Sequence, residues 1–377
     1  MGNTFLTPTA VARDAAIAGA ERLIVGNLVS RDKETMFTAD KVGDEVQITI
    51  PPAVSDASEF TGSTTASDQT ETKVGMKLEK HFYKRIDLTS KQRTLELSDF
   101  TRLVTVPAVT GIMSSVDKFI LRNMQVFRAY KSGTITSRPS TIAHIAAATK
   151  SLNDRFIGRV GRIALIDTTV EESFSQLTQF QSQDYGPDAV AGLRDGTLGR
   201  RYGFGFVTDP NSGAFVRSDV ANSIAGTVLV DGTVAAGGTT LHIDGITGAT
   251  GTIYAGCVFT IAGDSTRYVV RKDATIAANE VDLEIFPALA AEATNDAAIT
   301  FEAAGYSNLV YHPRAVAAAI VAPAPLDGTQ SAVQSFNGVS LRVTMDGSIV
   351  TLSSSVVYDV YVACRVIQPE GGAAFCG

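Results

Sequence analysis

Four histidines, His81, His144, His242 and His312, and three cysteines, Cys257, Cys364 and Cys376, are the side chains best suited to acid–base, metal or nucleophilic chemistry. A triad or a zinc site needs such groups to converge. The histidines lie far apart and fall in four different predicted elements. The cysteines are odd in number and contain no C-x-x-C pair, which fits neither a disulfide framework nor a zinc site, so they read as buried or incidental thiols in a reducing compartment. His312 precedes Pro313, and a proline at the first helical position makes it a helix-opening residue. No G-x-x-x-x-G-K-[ST], H-E-x-x-H or G-x-S-x-G pattern occurs; Gly305-Tyr306-Ser307-Asn308-Leu309 lacks the closing glycine. Gly203-Phe204-Gly205 beside Arg200 and Arg201 predicts a turn leading into a strand. Asp282 and Glu284 lie outside any D-x-[DN]-x-[DN]-G loop and read as a solvated strand face. The sequence therefore predicts no catalytic, cofactor-binding or metal-ligating residue, and no enzyme.

Composition points the same way. Charged residues make up only 19% of the 377 residues and hydrophobic residues 45%, against about 25% charged in an ordinary soluble domain. A subunit with large permanent interfaces, which run to roughly 2,000–5,000 Å² and are more apolar than ordinary surface, has this composition, and a tightly packed monomer shares it. The net charge of -7 argues against a protein that wraps nucleic acid, because that affinity comes chiefly from Lys and Arg on phosphates. Residues 223–303 hold ten acidic and three basic residues, which accounts for the whole imbalance. The first ten residues lack the regions of a signal peptide and no apolar run reaches about 18 residues, so the sequence predicts a soluble chain made in the cytoplasm, with no membrane partner.

The elements that would position these residues follow from periodicity. Residues 10–29 predict a helix with Ile17, Ala20, Ile24 and Leu28 on one side. Val46, Ile48 and Ile50 alternate with polar residues, and a second extended stretch covers 77–88, with the polar tip 55–72 between them. In that stretch Leu78, Phe82, Ile86 and Leu88 share a face with Lys80 and Lys84. So mixed a hairpin must lie across something else. The strongest helix is 107–130, with Val109, Ile112, Met113, Val116, Phe119, Ile120, Met124 and Phe127 on one stripe. A helix over 142–152, a strand over 162–166 and a capping-box helix from Thr169 to Gln183 form a mixed layer. From residue 222, short strands (227–230, 239–243, 257–261, 268–271, 281–285, 299–302) predict a small barrel or sandwich. Helix is expected again over 313–321, then strands over 339–344 and 349–367, then a Gly/Ala tail.

The order of these elements resembles the tailed-bacteriophage major capsid proteins with the Hong Kong ninety-seven fold, and within them the P-twenty-two coat-protein branch. The most family-like stretches are Gly43-Asp44-Glu45-Val46-Gln47-Ile48, Asn308-Leu309-Val310-Tyr311-His312-Pro313-Arg314-Ala315 and Tyr358-Asp359-Val360-Tyr361. The resemblance implies an α+β fold: an N-terminal arm (1–30), an extended β-hairpin loop (31–98), a peripheral domain with a long spine helix (99–137), an axial domain in two parts (138–222 and 304–345) interrupted by an inserted acidic β-barrel-like domain (223–303), and C-terminal strands (346–377). It also implies hexamers and pentamers of the chain closing into an icosahedral shell in the virion, with scaffolding and portal proteins as partners and double-stranded DNA enclosed without sequence-specific binding.

Under that resemblance the arm and loop reach neighbours, and Lys80, Lys84, Arg85, Arg13 and Arg22 are the candidate inter-subunit contacts. No covalent link through Lys80 is expected. The insertion folds as its own unit on the outer surface, and the tip 55–72 is the expected moving piece. The alternative is a phage tail, decoration or receptor-binding protein whose acidic β module recognises a ligand.

Overall fold

The computed structural model describes residues 8–39, 45–50, 71–89, 100–181, 198–218, 227–247, 250–348 and 353–377. The chain opens with helices α1 (Pro8–Arg22) and α2 (Glu34–Ala39), then strands β1 (Glu45–Ile50), β2 (Thr72–Lys77) and β3 (Lys80–Thr89). A π-helical turn (Thr101–Thr105) leads into α3 (Val106–Met124), followed by α4 (Ile142–Asn153), β4 (Arg162–Ile166), α5 (Thr168–Ser175), α6 (Thr178–Gln181), β5 (Arg200–Arg201) and β6 (Phe204–Thr208). Eight strands make the inserted region: β7 (Val228–Val230), β8 (Thr240–Asp244), β9 (Thr250–Ile253), β10 (Val258–Ile261), β11 (Tyr268–Val270), β12 (Ala274–Ala277), β13 (Val281–Phe286) and β14 (Ala298–Phe301). The chain then runs through β15 (Leu309–Tyr311), β16 (Val316–Val321), β17 (Gln330–Phe336), β18 (Val339–Ser348), β19 (Ser353–Val366) and β20 (Gly372–Ala374).

The spine helix α3 forms where the 3.6-residue stripe requires it. Val109, Ile112, Met113, Val116, Ile120 and Met124 are all buried, and a short 3₁₀ turn (Gln125–Ala129) prolongs the axis. The stretch Thr101–Ala129 is long and apolar enough to cross a membrane by length and composition, but the stripe is occupied by α1, β18 and β19 in one continuous core. Helix α1 packs into this core by a different face from the expected one: Val11, Ala12, Ala15, Ala16, Ala18 and Gly19 are buried, while Ile17, Ile24 and Leu28 are only partly so. Small side chains let the helix sit close to the sheet. Residues 8–22 are therefore an integral layer of the body of the fold.

Two further expectations are corrected. Residues 313–321 form a 3₁₀ turn and then the strand β16, not a helix. Val316, Ala318 and Ile320 face the spine core, and Ala317, Ala319 and Val321 face Ile48 and Met76 on the other side of the sheet. With both faces buried no alternation shows, and the alanines imitate a helix. The partner of β1 is β2, in register from Glu45↔Lys77 to Ile50↔Thr72, so the expected second hairpin strand belongs elsewhere. Residues 80–89 lie antiparallel on β19, from Ser353↔Thr89 to Val362↔Lys80. The tip 55–72 lies almost wholly outside the described residues.

The main sheet has the order β16-β19-β18-β17, with β3 on the opposite side of β19. A second sheet, β20-β15-β4-β6-β5, combines a parallel β4/β6 pair with antiparallel neighbours and buries Ile145, Leu152, Ile166, Phe174 and Phe204 under α4 and α5. Here Asp167, not Thr169, caps α5, its Oδ1 accepting from the Val170 amide at 2.8 Å, and the helix stops at Ser175 before a short α6. Tyr202 and Gly203 both take positive φ, as a two-residue hairpin turn between β5 and β6 requires. The Gly/Ala tail is β20, fully buried; a Cβ on Gly372 would lie 2.4 Å from the Phe127 ring. The insertion is a closed barrel, β10-β11-β13-β8-β7-β14, with its own core and a small β9/β12 sheet beside it.

Since Ile120 is fully buried at the centre of the shared core, Ile120→Ala is expected to cost about 2–5 kcal/mol, read as a lowered midpoint in urea unfolding followed by circular dichroism.

Candidate functional site

The candidate contact residues separate into two places. Lys80, Lys84 and Arg85 stand on β3, which hydrogen-bonds to β19 on one side only among the described residues. A ten-residue strand with one open edge presents unpaired N–H and C=O groups, and charged side chains along such an edge keep it from pairing indiscriminately. Phe82 and Ile86 pack against the core and Leu88 is buried, while Lys80 and Lys84 on the same face are exposed and make no ion pair with a described residue. Arg85 is occupied by Asp87 at 2.8 Å and by the Ser355 hydroxyl. Tyr83 is 68% exposed on this strand. Arg13 and Arg22 lie on the outer side of α1, exposed and without a described ion-pair partner. Beneath β3, the buried Asp359 is held by Arg342 and also accepts from His81 Nε2 at 2.9 Å, so the one histidine on the edge strand is a brace.

A seam of ion pairs, invisible in the sequence, fixes the barrel to the body. Arg267 makes two 2.8 Å bonds to the Glu302 carboxylate and a third to the Ala129 carbonyl at the end of the spine. Arg122 of α3 pairs with Asp273 at 2.8 Å and lies over the Tyr254 ring. Arg365 of β19 and Arg271 converge on Glu284, so Glu284, expected on a solvated face, is a seam residue. Gly256 has φ +90°, and a Cβ there would stand 2.2 Å from Gln125 Cβ. The barrel thus seats on the spine through a glycine.

His242 on the barrel wall is surrounded by Asp282 at 2.7 Å, Asp231 at 3.3 Å and Glu280 at 3.7 Å. The Asp282 hydrogen bond, against a small desolvation cost, raises its pKa. Asp282 itself is exposed, so for it the solvated-face reading stands. Burial pushes the Cys257 thiol up to about 12 and Cys376 to about 11, and Cys364 is raised as well; thiols held protonated are poor nucleophiles.

A second buried group was missed in the sequence because it looks like one polar gap in an apolar stripe. Asp117 of α3, only 1% exposed, accepts backbone N–H bonds from Ile24 at 2.8 Å and Gly26 at 3.0 Å. It pins the turn after α1 to the spine. Burial, with a contribution from nearby Asp209, raises its pKa to about 6. Asp209 is also raised by burial, and its Oδ2 and the Tyr311 hydroxyl have no partner among the described residues.

No family model matches this chain, and no curated protein matches it. Among solved structures, Mycobacterium phage Che8 is similar over 93% of this chain and 90% of that one, with a TM-score of 0.50 and 16% identity. The capsid of cyanophage P-SCSP1u covers 88% and 82% (TM-score 0.47, 12% identity), and a virus-like particle from Pyrococcus furiosus 97% and 96% (TM-score 0.40, 6% identity). The first of these likenesses establishes a shared fold along nearly the whole chain.

Two outcomes are expected. Gly256→Ala combines backbone strain with a collision at Gln125 and should cost at least about 2 kcal/mol, seen as a lower thermal midpoint. Asp117 has a folded pKa above its unfolded one, so its contribution is fully present below about pH 4 and is lost as pH rises through about 6. The melting temperature of the wild type relative to Asp117→Asn should therefore fall by several degrees between pH 4 and pH 7, measured by scanning calorimetry.

Proposed function

We propose that this chain is a shell-building subunit, the major capsid protein of a tailed bacteriophage, which self-assembles into an icosahedral head around a double-stranded DNA genome. The observation that carries the reading is a fold shared with a phage chain over nine-tenths of both molecules. The open strand β3 supports it. A body whose main sheet ends on an exposed, lysine-bearing edge has a surface suited to repeated contacts between copies. The function is assembly and not catalysis: each contact is weak, and many repeated ones make a shell cooperative.

In this reading copies associate as hexamers and pentamers, with scaffolding and portal proteins as partners, and assembly takes place in the host cytoplasm before the protein becomes part of the virion. Lys80, Lys84 and Arg85 on β3, and Arg13 and Arg22 on α1, meet acidic groups of neighbouring subunits. The acidic barrel faces outward, where its charge keeps finished shells apart. DNA is enclosed without sequence readout.

The test is to concentrate the purified chain, alone and with a scaffolding-type protein, and examine it by negative-stain electron microscopy and sedimentation velocity. Closed shells, tubes or spirals are expected, and a Lys80→Glu/Lys84→Glu variant should require higher protein concentration to form them. Small discrete oligomers under both conditions would overturn the reading.

A further inference from the structure

Between the spine α3 and the edge strand β3 lies a groove of about 360 Å³, lined by Lys80 and Phe82 of the strand and by Ser115, Lys118, Phe119 and Arg122 of the helix. The helix residues are three and four apart and the strand residues two apart, so each set shares one side of its element. Three cations and a hydroxyl thus meet around one space, with no carboxylate among the lining side chains. The Phe82 and Phe119 rings stand edge to face in its wall, their centroids 6.3 Å apart. A low-dielectric wall of this kind concentrates the field of the cations beside it.

The carboxylates of the neighbouring elements leave that field largely unopposed. Glu79, just before the strand, pairs with Lys272 at 3.8 Å. Asp117 is 1% exposed and accepts from the Ile24 and Gly26 amides, and Asp209, within electrostatic reach of Lys118, is fully buried with its pKa raised by burial. Asp273 does bind Arg122, through one guanidinium nitrogen at 2.8 Å. Lys80 and Lys118 are exposed and make no ion pair with a described residue. The acidic surplus of the chain lies in residues 223–303, so the body that carries the groove is balanced. Cations reaching one space from a helix and a strand surround a ligand from two sides. A tetrahedral phosphate group accepts from both, whereas a carboxylate accepts near its own plane.

We propose that this groove grips the phosphodiester backbone of double-stranded DNA, with Lys80, Lys118 and Arg122 on the phosphate oxygens and no base read. The choice of DNA as the source of the phosphate rests on the shell reading; the chemistry of the groove does not. The proposal goes beyond that reading by giving the enclosed genome a point of contact, and it assigns Lys80 to the groove, leaving Lys84 and Arg85 to the strand edge. Each grip is weak, and many copies presented on one surface add up.

The purified chain, kept below the concentration at which it assembles, is titrated into two fluorescein-labelled duplexes of unrelated sequence, and anisotropy is followed over a range of salt. Equal affinity for the two is expected, with log affinity falling against log salt at a slope of about −2.7 for three phosphate contacts. Lys118→Gln and Lys80→Gln should each flatten the slope by about 0.9 and weaken binding about eightfold at 0.1 M salt. Lys118→Arg should bind like the wild type, and so should Arg159→Gln, which neutralises an exposed cation on the loop before β4. Circular dichroism checks that each variant is folded. Duplex binding that is absent from the wild type, or that neither Lys118→Gln nor Lys80→Gln weakens, overturns the proposal. Inorganic phosphate bound in calorimetry without any binding of duplex would make this a site for free phosphate, and poly-glutamate displacing the duplex better than unlabelled duplex of equal charge would make the partner an acidic polypeptide; either result overturns the DNA assignment. If shells form but the substitutions leave DNA binding unchanged, the groove is wrong and the shell reading survives. If no shells form but the substitutions act as expected, the shell reading falls and the groove stands.

Discussion

The body of the fold depends on β19. This fourteen-residue strand is hydrogen-bonded to β3 along one side and to β18 and then β16 along the other; Tyr361 and Val362 pair with both β3 and β16. Its inward side chains, Val356, Tyr358, Val360 and Val362, share a core with α3 and α1, and Ala363 on the opposite face belongs with the β1–β2 hairpin. Arg365 at its end reaches Glu284 of the barrel. One extended segment therefore sets the register of the main sheet and of the elements packed on its two faces, and a slip of one residue would exchange those buried faces.

The charge pattern has a different logic on each side of this strand. Where the barrel meets the body, arginines are spent on carboxylates and carbonyls at hydrogen-bond distance, each partly sheltered from water. Single exposed pairs contribute little, but a bidentate Arg267–Glu302 bond tied also to the Ala129 carbonyl fixes orientation as well as distance. On β3 and along the outer side of α1, Lys80, Lys84, Arg13 and Arg22 have no such partner among the described residues, and Arg85 has only the exposed Asp87 and the Ser355 hydroxyl. The edge of β3 is thus charged and, among the described residues, open.

Elements with one buried face, or with a run of large or β-branched apolar residues between turn residues, were legible in the sequence. The spine stripe, β4 and six of the barrel strands announce themselves through period and turn residues, and the structure places them close to where the pattern does. What escaped detection had both faces covered or little side chain to show. The strand β16 is buried on two sides and rich in alanine; β20 is Gly-Ala-Ala; β9 and β12, Thr-Gly-Thr-Ile and Ala-Thr-Ile-Ala, are too short and small to stand out. The face of α1 was misjudged because close helix–sheet packing selects alanine over the larger Ile17 and Ile24. Contacts between distant residues, such as Asp117 with the turn at Ile24 or Arg365 with Glu284, leave no local signal at all. The cationic residues of the edge strand were identifiable by type, but the one-sided pairing that exposes them was not.

The two chain segments that lead into and out of the barrel run side by side. Phe215 donates to the Gly305 carbonyl at 2.7 Å, Ser307 to the Gly213 carbonyl at 2.8 Å, and Arg217 to the Glu302 carbonyl at 3.1 Å. They form a short two-stranded stem whose far end opens into a module with its own closed core. Such a joint is a natural grafting point. Whatever is spliced between the two stem segments leaves the threading of the body untouched, and the sheet beneath can keep its register.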